Sequence, residues 1–201
     1  SRNDDEFETG PLQALVNSLD PTRTTLRTGT AKGTRDNVDI HTCGNVSHDS
    51  EGAWMETFTR EAARKDPKRP LTNTEYMNRF GNSAPRWLGD ANHPYAQLNY
   101  AEFAMEHTEA MRRLNYDGIL PYMYAGWTGL RGNSWRADFP TPMAASLHSC
   151  MSPVLASLDL YDRNFAAGSE VATRVALINE TLSDVPVTLD LYLTTKDPLL
   201  V

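Results

Sequence analysis

One carboxylate raises the chemical question in this chain. Glu75 lies in the run Asn73-Thr74-Glu75-Tyr76-Met77-Asn78-Arg79-Phe80-Gly81-Asn82-Ser83. There a β-prone stretch from Pro70 to Tyr76 gives way to polar, glycine-containing sequence. A carboxylate at the end of a parallel strand, beside a loop that can approach a ligand closely, suits nucleophilic or proton-transfer work. The plainer reading of Glu75 is a surface glutamate that caps a helix or pairs with Arg79. His48, with Asp49 and Glu51 nearby, has a metal-like composition, but its spacing offers no facing geometry and reads as a solvated loop. Cys43 and Cys150 are too few for a thiolate zinc site and read as two unrelated buried thiols, with a single bridge as the alternative.

The elements needed to hold such a residue are readable from periodicity. Leu12, Leu15, Val16 and Leu19 recur at three and four, predicting an amphipathic helix over Pro11–Leu19 that stops at Asp20-Pro21. Thr24–Thr28 is β-prone, and Val38-Asp39-Ile40-His41-Thr42 reads as a second short strand. Glu51–Lys65 suits a helix with Trp54, Met55, Phe58 and Ala62 on one side. Ala96–Leu114 is the longest helical pattern, striped by Tyr100, Phe103, Ala104, His107, Met111 and Leu114. Asp117–Trp127 follows as a buried strand, and Thr141-Pro142 reads as cap plus first-turn proline of a helix to about Ser149.

Near residue 150 the period changes to two. Val154, Ala156, Leu158 and Leu160 alternate, as do Val171, Thr173, Val175 and Leu177 after a turn at Gly168. A third alternation, Val187, Leu189, Leu191 and Leu193, follows a turn-rich stretch. The chain therefore divides into 1–150, strands spaced by helical crossovers and hence a parallel sheet, and 151–201, the first strands of an antiparallel β-sandwich with one solvated face. Four strand-plus-helix units are half of an eight-unit barrel, and they also fit a small doubly wound sheet.

Composition narrows the partners. The 201 residues carry 19 basic and 26 acidic side chains, a net charge of −7, which argues against a nucleic-acid backbone or an anionic membrane surface. No run approaches the roughly 18 apolar residues of a membrane span, and the opening Ser1–Glu6 is polar.

The residues around Glu75 resemble a known family. Glu75-Tyr76, four residues, then Gly81-Asn82-Ser83 is similar to the nucleophile segment of glycoside hydrolase family 2, the β-galactosidase family. Asp20-Pro21-Thr22-Arg23 resembles the run leading into barrel strand five, and Val38-Asp39-Ile40-His41 the region around strand six. Asp117–Trp127 stands where strand eight falls, and Ser152-Pro153-Val154 resembles the start of the sandwich that follows the barrel. The resemblance implies an α/β fold, strands 5–8 of a (β/α)8 TIM barrel plus a partial sandwich. It also implies a retaining hydrolase of β-glycosidic bonds with Glu75 as nucleophile.

By the same resemblance Tyr76, Asn78, His41, Trp127 and Trp135 are expected to bind substrate. Asn78 stands near a position where the family places a polar residue, often His, toward the sugar. His41 is equally readable as a core histidine, and the two indoles as simple packing. The family's general acid follows Asn at the end of strand four, and no Asn-Glu pair precedes Asp20. The chain is therefore expected to be an inactive fragment whose partner is the missing half of the barrel, or a second copy that closes the sheet. It needs no cofactor, and carbohydrate is its substrate. The alternatives are a non-catalytic carbohydrate-binding or assembly module, and a small complete α/β domain.

Overall fold

The computed structural model describes residues 10–25, 37–39, 56–57, 59–61, 64, 67–76, 94–121, 142–162 and 164–191. Helix α1 (Gly10–Leu19) precedes a sheet of three parallel strands, β1 (Val38–Asp39), β2 (Leu71–Tyr76) and β3 (Gly118–Pro121), paired in chain order. Parallel neighbours need a crossover. Helical residues at 56–57, 59–61 and 64 lie in the first connection, and helix α2 (Pro94–Arg113) forms the second. β2 is thus the central strand, bonded along both edges.

Side chains outside the main-chain ladder lock the strand starts together. The Leu71 amide donates to the Asp117 carboxylate at 2.7 Å, and the Asp117 amide donates to the Leu71 carbonyl at 2.8 Å. On the other edge, fully buried Asn37 donates through Nδ2 to Thr72 Oγ1 at 2.7 Å.

The core lies where α2 covers β2 and β3. Tyr76, Ala101, Phe103, Ala104 and Met111 are buried together with Leu147 and Cys150 from helix α3 (Pro142–Cys150), and Ile119 packs against them. Of the predicted stripe, Phe103, Ala104, His107 and Met111 form the buried face of α2, and Leu114, just past its end, is partly buried against the core. α2 ends in a Schellman motif, in which the Tyr116 amide reaches the Met111 carbonyl and the Asn115 amide that of Arg112. Asn115 takes the left-handed conformation this requires, at φ 56°, one of the few non-glycine residues suited to it.

Cys150 is a free thiol buried in this core. Burial pushes it up from its ordinary 9.0 to about 11. The folded state therefore holds this proton more tightly than the unfolded chain does. The stabilisation is complete below pH 9 and is lost as pH rises toward 11. The urea midpoint is expected to start falling near pH 9, and Cys150→Ala to remove that onset; an unchanged profile in the variant would refute the assignment.

Beyond α3, strands β4 (Val154–Asp159) and β5 (Arg174–Asn179) form an antiparallel pair in unbroken register from Val154↔Asn179 to Asp159↔Arg174. Gly168, at φ 81°, makes the turn in the loop between them.

Several expectations need correction. The first helix forms, but none of its residues is buried, and Leu12 and Leu19 are 62% and 77% exposed. A 3.6-residue period fixes which side chains share a face, yet it does not supply the surface that covers them. In the β4–β5 hairpin, Leu158 and Leu177 of the alternating apolar set are exposed, at 41% and 56%. The intervening Ser157 is the fully buried residue. Val187, Leu189 and Leu191 belong to no ladder and are exposed, so the third predicted strand is not formed over residues 187–191. Thr24 and Thr25, the start of the expected 24–28 strand, belong to no strand; residues 26–28, the ends of the second and last predicted strands beyond residues 39 and 121, and Trp54, Met55, Phe58, Ala62 and Tyr100 fall outside the described residues or side chains.

Candidate active site

Glu75 is the penultimate residue of the central strand, half-buried at its C-terminal end. Its direction follows from the register. Thr72 pairs with Gly118 and Asn73 with Ile119, but the next partner of β3, Pro121, lies opposite Tyr76. From Asn73 to Tyr76 is three steps along β2, whereas Ile119 to Pro121 is two along β3. One extra residue is therefore inserted on β2, a β-bulge at Thr74-Glu75.

The bulge inverts the alternation. Residues directly opposite one another share a face. Asn73, opposite Ile119, and Tyr76, opposite Pro121, thus both lie on the α2 side. In a regular strand Glu75 would share that side with Asn73. With one residue inserted, Tyr76 takes the α2 side and Glu75 falls on the opposite face, with Thr72. The Glu75 amide, displaced from the regular pattern, donates to Asn73 Oδ1 at 3.1 Å, and Asn73 is fully buried.

Tyr76, expected to bind substrate, packs into the core. Its ring is completely buried and edge-on to His107, with centroids 6.2 Å apart. Its hydroxyl meets Thr108 Oγ1 at 2.9 Å. Thr108 spends its own proton on the Ala104 carbonyl at 2.7 Å, so Tyr76 is the donor. Burial holds the phenol well above its ordinary range. Tyr76 therefore anchors the strand end to α2 and has no surface left for a ligand. Tyr76→Phe should cost about 1 kcal/mol, one buried hydrogen bond. It should appear as a lower urea midpoint with unchanged slope; an unchanged midpoint would refute the anchor.

Asn78, His41, Trp127 and Trp135 lie outside the described residues, as do Cys43 and His48. Among the described residues no group of three or more His, Cys, Asp and Glu is arranged to hold a metal ion. The chain's one Asn-Glu pair, Asn179-Glu180, is on the hairpin, where Glu180 is bound to Arg112 at 3.0 Å. Asn73 was not singled out from the sequence; its signal was an amide side chain inside an otherwise β-compatible run, two residues before the carboxylate.

A concavity of about 230 Å³ lies where β4 and β5 meet α2, lined by Glu56, Arg60, Arg113, Asp159, Tyr161 and Arg174. Each arginine there faces a carboxylate: Arg60 faces Glu56, Arg174 faces Asp159 at 2.7 Å, and Arg113 faces Glu109 at 3.9 Å. Arg113 also donates to Ser157, to the Leu158 carbonyl and to the Tyr161 hydroxyl, and Ser157 passes its proton to Glu109 at 2.6 Å. This is a neutralised clasp between helix and hairpin, not an anion site.

Comparison with known proteins finds no matching family model, no matching curated protein and no matching solved structure. No described helix is long and apolar enough to cross a membrane.

Proposed function

We propose that this chain carries the nucleophile of a retaining β-glycosidase of the family 2 type, and that β1, β2 and β3 are strands six to eight of its (β/α)8 barrel. The observation that supports this best is the bulge at the end of the central parallel strand, which turns Glu75 away from the helix layer. Bulges of this kind recur at barrel rims, where they re-aim a side chain. Each described crossover also moves one strand along in the same direction, the progression a barrel requires. The run from Glu75 to Ser83 resembles the family's nucleophile segment in Glu75-Tyr76 and Gly81-Asn82-Ser83 and their spacing, with Asn78 near a position where the family often has His.

The chemistry is a double displacement. A Glu75 oxygen attacks the anomeric carbon, and the bond to the leaving oxygen breaks with its electron pair. A general acid about 5 Å away supplies the proton to that oxygen, and water then releases the sugar from the ester. In this reading the general acid comes from sequence upstream of Asp20, from strand four of the same barrel.

A 2-deoxy-2-fluoro β-glycoside with a good leaving group tests the assignment. It slows breakdown of the ester, so the full-length polypeptide should accumulate one covalent sugar on the peptide containing Glu75. Label on another carboxylate, or stoichiometric sugar binding without label, would overturn it and favour a binding module.

A further inference from the structure

We propose that Asn73 is a positioning residue for Glu75, its buried carboxamide holding the bulge that keeps the carboxylate on the face away from α2. The catalytic half of this inference rests on Glu75 being the nucleophile; the structural half does not.

Asn is depleted in strand interiors because it offers little to a packed sheet. Here it is fully buried in the middle of β2, opposite Ile119. Its Oδ1 accepts the Glu75 amide, two residues on in the same strand. Asn is well suited to this, since its short side chain reaches its own backbone two positions ahead. An inserted residue frees a main-chain amide from the ladder, and a freed amide in buried surroundings must find an acceptor. Asn73 is that acceptor.

Two anchors therefore fix the bulge from either side. Tyr76, bonded to Thr108, stops the strand from sliding back into regular register. A slide would carry Glu75 to the α2 face, against Phe103 and His107, where a carboxylate is poorly solvated. Asn73 then sets how the inserted residue is oriented within that frame. Without its oxygen the amide of Glu75 turns to seek water, and the carboxylate turns with it.

The test uses the full-length polypeptide with Asn73→Ala and Asn73→Val, the second a strand-compatible side chain with no acceptor, and with Asn73→Asp, which keeps the oxygen. Amide hydrogen exchange at Glu75 should quicken by at least about tenfold in Ala and Val while Thr72 stays protected, and should return toward the wild-type rate in Asp. With an activated aryl β-glycoside, kcat should fall about 10²-fold in Ala and Val with KM within about twofold, and Asp should recover most of it. Unchanged exchange at Glu75 in both Ala and Val overturns the proposal. Faster exchange with unchanged kcat overturns the positioning role. Failure of the fluoro-sugar to label wild-type Glu75 instead overturns the glycosidase reading, and leaves the exchange result standing.

Discussion

If Glu75 is the nucleophile proposed above, Glu75→Gln in the full-length polypeptide should lower turnover of aryl β-glycosides by at least about 10⁴-fold, because the residual rate must come from groups other than the attacking one. KM should change little, since glutamine keeps the volume and can still hydrogen-bond. Shortening the side chain is more informative. Glu75→Ala leaves a space beside the anomeric carbon on the face the nucleophile occupied. A small anion such as azide can enter there and attack directly. The product should be the glycosyl azide of inverted, α configuration, because only one displacement now occurs where the native reaction has two. Loss of activity with no azide product, or with a β-configured one, would remove Glu75 from the nucleophile's role.

The largest effect on stability is expected at Glu180, for a reason that lies with its partner. The Arg112 side chain is 4% exposed, and it donates to Glu180 through Nε at 3.2 Å and to the Cys150 carbonyl through Nη1. The Glu180 side chain is 58% exposed. Removing the glutamate strands a guanidinium that cannot shed its proton, whereas removing the arginine leaves a carboxylate already in contact with water. Glu180→Ala should therefore cost about 2–3 kcal/mol, and Arg112→Met, which fills the volume with no charge, about 1 kcal/mol. Urea unfolding of the two variants measures both. The reverse order would mean that Arg112 acts mainly through the Cys150 carbonyl.

What was legible in the sequence was local. The stripe from Phe103 to Met111 gave α2 its buried face, because a helix repeats its side-chain positions within a few residues. Leu71–Tyr76 was readable as a strand from its β-prone content, with Glu75 near its end. The bulge was not readable, since it is a relation between β2 and β3 and those strands are separated by a whole crossover. The burial of Tyr76 was not readable for the same reason: alternation from Asn73 alone puts it on the other face. The hairpin shows a different limit. Alternation in Val154–Leu160 identified two faces correctly but not which one packs inward. Ser157 turns to α2 because Arg113 offers its hydroxyl a donor there and Glu109 an acceptor. Cooperative polar contacts across sequence distances of this kind leave no periodic trace.

The central place of β2 has a consequence for how the protein is made. As the chain leaves the ribosome from its N-terminus, β2 finds β1 already available on one edge. Its other edge stays bare until α2 and then Gly118–Pro121 have emerged. During that interval neither Thr108 nor Ile119 exists to hold Tyr76 and Asn73, and the open row of amides is a template for any extended peptide nearby. The face that Glu75 takes is therefore fixed in part by residues translated after it, and a nascent chain released early would carry the glutamate without the register that orients it.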